Sequence, residues 1–488
     1  MKGIFLNIDI NTVTFPFLER VCAASHIKEE DLYPFVDQYA KTQITDIAFD
    51  IFCQISMTPS EAWSDVLDSY HRTEENGVKV DYKKILEQYH RLYEVHKLDA
   101  HAIWIRRCRD LGITPWLSIR MNDCHCPDDT AVWIRGSEFY AADEKGWKIG
   151  DVYGYQRHCY DYSVKEFSDR MLGYIEEQIM RYNADGLELD FSREWYCFRE
   201  PDTPASRQAM VNFVRDVASI LRRAEIKWGH PIRLHLRLMR DMKQNHALGF
   251  DLDTMVKEKL LDSISVAPRW ASCDSDMPIE DFKNAYPDLP VYAGITDLTL
   301  LAPTDAEAAM GYAAAYLARG ADKIYLYNFF SNPFYPSDAN NTLYRTCGSL
   351  ETLIGKARRI VVTYQDMTAW GRSPWVPLPA KADGFSLFIP TGPIAKEEGV
   401  SLVLGFDREI TNEEVKVSLD GVPAVFMGTT EQGSAYAKGK NRTAGGEPVK
   451  ALYLFSLSKN RGVEKAVTLS VEAGASLLLS YIEIIVKQ

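Results

Sequence analysis

The stretch DGLELDF, residues 185–191, places Leu187, Leu189 and Phe191 on one face and Gly186, Glu188 and Asp190 on the other. A period of two is that of a β-strand, whose successive side chains point to opposite sides. Upstream of it runs SVKEFSDRMLGYIEEQIMRY (163–182), with helical spacing and a Ser163/Glu166 pair that reads as a capping box. A strand next to an amphipathic helix turns its apolar face to that helix. The Gly/Glu/Asp face must then point elsewhere, and the axis of a closed barrel is one place for it.

Similar short apolar runs recur at 3–10, 44–51, 113–121, 232–239, 263–268, 291–296 and 323–329. With 185–191 they make eight, separated by longer helical patterns such as TDAEAAMGYAAAYLARG (304–320), which closes on Gly320. Eight strand–helix repeats predict an α/β fold, a (β/α)8 TIM barrel over residues 1–358; the alternative is an open doubly wound sheet. The gap 52–112 predicts helices, 81–110 among them, and an insertion over the barrel mouth. Residues 359–371 are expected to form a linker region, followed by Pro-rich sequence (371–380). Over 372–488 short alternating strands with Gly, Asn and Asp turns predict a C-terminal antiparallel β-sandwich domain.

The bulk numbers bound the function. The 488 residues carry a net charge of −13, with 55 basic against 68 acidic side chains. That balance argues against a nucleic-acid partner. No run of about 18 apolar residues predicts a membrane span. The start, MKGIFLNIDINTVTF, reads as a strand and not as a signal peptide, and nine scattered Cys suit reduced thiols, so a cytoplasmic protein is expected. Self-association is left open. Aromatic residues reach 12%, including 26 Tyr and 10 Trp, as sugar-binding clefts and large cores both require.

The same alternation sorts the other strands. The inward set is Asn7 and Asp9 on the first strand, Asp50 on the second, Trp116, Ser118, Arg120 and Asn122 on the third, and Arg233, His235 and Arg237 on the fifth. The sixth strand ends at Arg269, and the eighth offers Tyr325, Tyr327 and the following Asn328. Barrel interiors are ordinarily filled with branched apolar side chains. So many buried charges must pair or bind something. Their position at the C-terminal strand ends predicts an active site there, with an internal Arg–carboxylate scaffold as the structural alternative.

WLSIRMNDCHCPDD (116–129) gathers Arg120, Asn122, Asp123, Cys124, His125 and Cys126. Three consecutive ligand types do not fold readily onto one metal ion, and no second pair at metal-ligand spacing stands out, so neither a metal nor a cofactor is expected. No P-loop, GxGxxG or GxSxG motif occurs. A wide polar mouth of carboxylates, guanidiniums and aromatics suggests a carbohydrate partner.

Two family resemblances follow. DGLELDFSRE is similar to the strand-four signature DGxDxDxE of the family 18 chitinases, through Asp185, Gly186, Glu188 and Asp190. That family's catalytic acid falls at Ser192, which cannot protonate a leaving group, so the resemblance implies a fourth barrel strand and not that chemistry. The chain more closely resembles glycoside hydrolase family 156, the inverting exo-sialidases. Arg120 with His125 five residues on, Arg193 after the fourth strand, Asp9 after the first and Asn328 after the eighth carry it. The resemblance implies that His125 and Asp9 activate water and that Arg120 and Arg193 bind a substrate carboxylate, as guanidinium forks do. Asn328 would bond sugar hydroxyls or an N-acyl group. Asn7, Asp50, Asn122, Arg237 and Tyr327 complete the expected substrate pocket, and Glu188 and Asp190 are candidates for the acid. Two alternatives stand beside this: a barrel glycosidase on another sugar, working through Glu188 or Asp190 paired with another carboxylate such as Asp50, and a non-catalytic glycan-binding protein.

Overall fold

The computed structural model describes residues 3–9, 14–71, 74–75, 78–79, 83–124, 136–150, 154–268, 275–296, 305–329, 338–362, 378–432, 449–457, 462–474 and 476–487. Eight parallel strands close into a barrel: β1 (Ile4–Ile8), β2 (Ile44–Asp50), β3 (Thr114–Arg120), β4 (Gly186–Asp190), β5 (Arg233–Met239), β6 (Ser263–Ala267), β7 (Val291–Thr296) and β8 (Lys323–Tyr327). The helices between them include α1 (Phe15–Cys22), α2 (Ala100–Asp110), α3 (Lys165–Arg181), α4 (Pro204–Trp228), α5 (Leu252–Lys257), α6 (Ile279–Ala285) and α7 (Ala306–Ala318). The odd-numbered face of the 185–191 stretch behaves as its pattern requires: Leu187, Leu189 and Phe191 join the large core between strands and helices.

Inside the barrel a second, smaller cluster forms from Phe5, Ala48, Trp116, Tyr292, Tyr325 and Tyr327. It is aromatic where most barrels are aliphatic. Phe5 and the His235 ring stack with centroids 5.1 Å apart, and Tyr292 stacks on His235 at 5.2 Å. Gly186 is required by this packing, since a Cβ there would penetrate the Trp116 ring lying across it. Trp116 Nε1 in turn donates to Asp46 Oδ1 at 3.1 Å, and Asp46 pairs with Lys323. The polar ring therefore sits on an aromatic plug.

Several local expectations change. Ser163 does not cap α3; its N–H and hydroxyl both bond Asp161 Oδ1, at 3.0 and 2.6 Å, and Val164 occupies the N-cap. The single helix expected over 81–110 is three pieces, Lys83–His90, a π-helical turn Arg91–Val95, and α2. Asp99 supplies the break, its side chain accepting from Ala102 N–H as the cap of α2.

The C-terminal part is an open antiparallel sheet curled as a sandwich or half-barrel. Its main strands are β9 (Arg358–Val362), β10 (Phe385–Pro390), β11 (Gly399–Phe406), β12 (Val415–Leu419), β13 (Val422–Thr429), β14 (Ala451–Leu457), β15 (Ala466–Ala473) and β16 (Leu478–Lys487). They run in the order β9-β16-β11-β14-β13-β12-β15-β10. The sheet thus begins with β9, which starts at the last residue of the expected barrel range and runs into the stretch expected to link the two parts. β9 lies against α7, where a Cβ on Gly311 would strike the Arg359 backbone. Tyr312 donates to Val361 O at 2.7 Å, and Arg359 pairs with Glu483 at 2.7 Å. Every residue of α7 from Ala308 to Leu317 is buried, because barrel and sheet cover it from both sides. Among the described residues no helix is long and apolar enough to cross a membrane.

Candidate active site

Parallel register sets the inward residues in tiers. Ser118 lies beside Glu188 and Glu188 beside His235; one step up, Arg120 lies beside Asp190 and Asp190 beside Arg237. Asn7 lies beside Tyr327 across the first and last strands. Side chains from strands that are not neighbours can therefore meet on the axis.

In the lower tier Glu188 Oε1 accepts from Asn7 Nδ2 at 2.7 Å, Ser118 Oγ at 2.7 Å and Tyr325 OH at 3.1 Å. Its Oε2 faces His235 Nε2 at 3.7 Å, too far for a hydrogen bond. Burial, then the Asp190 charge, pushes the Glu188 carboxyl up to about 7, against the donors that favour its ionised form. Burial, with Lys323, Arg237 and Arg233 around it, keeps His235 well below the usual histidine range, so its ring is neutral. Above them Arg237 Nη1 bonds both Asp190 oxygens at 2.9 Å, and its guanidinium lies 3.8 Å over the Tyr327 ring. Glu188, Asp190 and His235 are fully buried.

The upper tier is ionic. Arg120 meets Asp9, Asp50 at 2.7 Å and Asp123 at 3.0 Å. Arg193 approaches the same Asp123 at 3.8 Å and Glu194 at 4.0 Å. Arg120 is all but buried, with 3% of its side chain exposed; Arg193 shows 14% and Asp9 11%. Three carboxylates around Arg120 exceed its charge, and burial, with Asp9 and Asp123 nearby, raises the Asp50 carboxyl well above its ordinary value despite Arg120. Tyr327 and Asn328 close the tier on the β8 side. Asn328 takes a left-handed backbone, φ 61°, which Asn tolerates better than most residues, and its buried Oδ1 has no hydrogen-bond partner. Such a buried, unpaired acceptor at a strand end is suited to a ligand donor.

The expected residues therefore divide. Asp9, Asp50, Arg120, Arg193, Tyr327 and Asn328 lie at the strand ends. Glu188 lies one step beneath, while Asp190 and Arg237 are level in register with Arg120, and Asn7, level with Tyr327, bonds Glu188. Asn122 is turned away: Nδ2 donates to the carbonyls of Tyr160 and Tyr196 at 3.2 and 2.9 Å, and Oδ1 accepts from Tyr160 N–H at 2.8 Å. Its amide ties two loops together. His125 and Arg269 lie outside the described residues. Sequence reasoning did not give Asp123 a role, although it bridges Arg120 and Arg193; its place three residues after Arg120 and just past the strand was the available signal. The buried Thr296, which lies beside Tyr327 across β7 and β8 and has an unpartnered hydroxyl, was also missed.

No protein-family model matches the chain, and no curated protein matches it. Solved structures that resemble it include glycoside hydrolases. The glycoside hydrolase domain of PgaB from Bordetella bronchiseptica is 8% identical, covering 70% of this chain and 99% of that one, with a TM-score of 0.44. A family 18 N-acetylglucosaminidase from Paenibacillus barengoltzii is 12% identical over 61% of this chain and 69% of that one, TM-score 0.31. Chitinase ChiW from Paenibacillus sp. str. FPU-7 is 9% identical, TM-score 0.41; 98% of this chain is covered, but it spans only 55% of the larger enzyme. At these scores the barrel rests on its own strand order and not on the likeness.

Proposed function

We propose that the chain is a glycoside hydrolase acting at the C-terminal mouth of the barrel, an exo-sialidase that inverts the anomeric centre. The observation that carries this reading is the ionic tier in which Arg120 and Arg193, from adjacent strand ends, bracket Asp123 while Arg120 also holds Asp9. Carboxylates outnumber guanidiniums in this tier, so an anionic sugar is received by the guanidinium with the longer ion contacts and the greater exposure, Arg193. A sialic acid carries a carboxylate on its anomeric carbon. Arg193, the more exposed guanidinium, takes that carboxylate; Arg120, saturated by acidic neighbours, supplies field and fixes Asp9.

Inversion requires a base that activates water on the face opposite the leaving group. Asp9, positioned by Arg120, orients that water, and His125 takes its proton, as an imidazole titrating near neutrality can. Asn328 Oδ1 accepts from a sugar hydroxyl or the N-acyl N–H, and Tyr327 walls the pocket. Glu188 and Asp190 are fully buried, and Asp190 is held by both bonds from Arg237, so direct attack by them on a neutral sugar has no geometric support; the departing glycosidic oxygen takes its proton from solvent water at the mouth.

The test is turnover of a fluorogenic sialoside alongside a panel of neutral hexosides. Release of dye from the sialoside alone is expected. Turnover confined to a neutral hexoside would overturn the substrate assignment, and glycan binding without turnover would overturn the assignment as an enzyme.

A further inference from the structure

In the insertion between β2 and β3, the helix Val66–His71 meets the helix Lys83–His90 and the π-helical turn Arg91–Val95 that continues it. His71 Nε2 lies 3.2 Å from Glu94 Oε1, and His90 Nδ1 lies 2.5 Å from Glu94 Oε2. One ligand atom from each residue falls within 4.8 Å of the other two. We propose that His71, His90 and Glu94 form a site for a divalent transition metal ion of the zinc class.

Zinc holds imidazole nitrogen and carboxylate oxygen at about 2.0–2.2 Å, which in a tetrahedron separates ligands by roughly 3.4 Å. The trio needs only small side-chain rotations to reach that spacing. Two imidazoles and a carboxylate suit zinc, copper or nickel better than calcium or magnesium, which prefer all-oxygen shells. Two further observations support a built site. The His90 ring stacks on Tyr70 with centroids 4.4 Å apart and planes 9° from parallel, which fixes its direction. The π-helical turn that presents Glu94 is a rare form that occurs frequently at functional positions. The ligands are partly exposed, at 56%, 26% and 36% of their side chains, so an ion can enter and a fourth position stays open to water.

The ion would act on the mouth through packing. Tyr89, beside His90, is buried and meets Phe15 edge-on at 5.9 Å, and Arg91 donates to Ala24 O at 2.6 Å. The helix that carries the metal ligand is thus docked on α1, which follows Asp9. A bound ion ties the insertion to that docked helix.

The test uses the full chain stripped with chelator and dialysed against micromolar zinc chloride, with bound metal counted by emission spectrometry. One ion per chain is expected, with affinity reduced tenfold or more in His90→Ala and in Glu94→Gln while circular dichroism stays unchanged. Cobalt loading gives a second readout: the visible absorption of a four-coordinate ion, lost in both variants. Absence of binding by the intact chain overturns the proposal. So does unchanged affinity in both variants, or binding lost in His96→Ala alone, which would move the ion to the His26–His96 pair.

Discussion

Glu188 is the residue where burial and pH can be connected by sign. Its carboxyl titrates near 7 in the fold against 4.5 when unfolded, so between these values the native state keeps a proton the unfolded chain has released. Stability is therefore greatest below about 4.5 with respect to this group and falls as pH rises toward 7, by up to about 3 kcal/mol. Asp50 shifts in the same direction and adds to the slope. Glu188→Gln keeps an acceptor for Asn7, Ser118 and Tyr325 and has no charge to bury. Its melting temperature is expected to vary less than wild type between pH 5 and 7; an identical slope would show that Glu188 does not titrate there.

The two arginines separate at the same scale. Arg120→Ala leaves three carboxylates at a buried site without their cation, so activity and stability fall together, the latter by about 3–5 kcal/mol in chemical denaturation. Arg193→Ala touches longer and more exposed ion contacts. Its KM for a sialoside is expected to rise tenfold or more with the melting temperature within a few degrees of wild type. What the sequence shows here is alternation: Asn7, Arg120, Glu188, Asp190, Arg237 and Tyr327 were all legible as inward-facing. Partners were not, because Asn7 and Glu188 lie on strands that do not adjoin and their meeting depends on barrel closure. Asn122 misled because period two ends with the strand at Arg120, and the next turn of chain sends its amide to Tyr160 and Tyr196.

Among elements, the strands were legible nearly to the residue because each combines an apolar outer face with a flanking helix; the 291–296 run and β7 coincide. The helices were less so. Ser163 has the chemistry of a cap, but Asp161 engages it first. The 81–110 pattern keeps its apolar period across a π-turn and a capped restart that propensity does not mark. Gly186 tests strand packing: Gly186→Ala drives a methyl into the Trp116 ring, and a loss of about 1–3 kcal/mol is expected in urea unfolding. Wild-type stability in that variant would mean that Trp116 is free to move off β4.

For the whole molecule, α7 joins the barrel to the sheet. A helix apolar on every side is at home only when covered all round. A chain ending at 357 exposes the face that β9 and Gly392 cover, where a Cβ on Gly392 would strike the Ala314 carbonyl. Such a truncation is expected to aggregate or bind a hydrophobic dye in size-exclusion and fluorescence measurements; a monodisperse, dye-free barrel would show that the sheet is dispensable for folding. The two-part plan was visible in the change of texture near 372, whereas the lodging of β9 against α7 was not, since a strand of five residues next to a helix carries no mark of which sheet it joins.

The most direct measurement follows the hydrolysis of a sialoside by proton NMR from the first seconds. The account predicts that the first-formed free sugar has the anomeric configuration opposite to that of the glycoside, with the other anomer appearing only by mutarotation. First release of the retained anomer, or no release at all, would contradict water attack directed by Asp9 and His125.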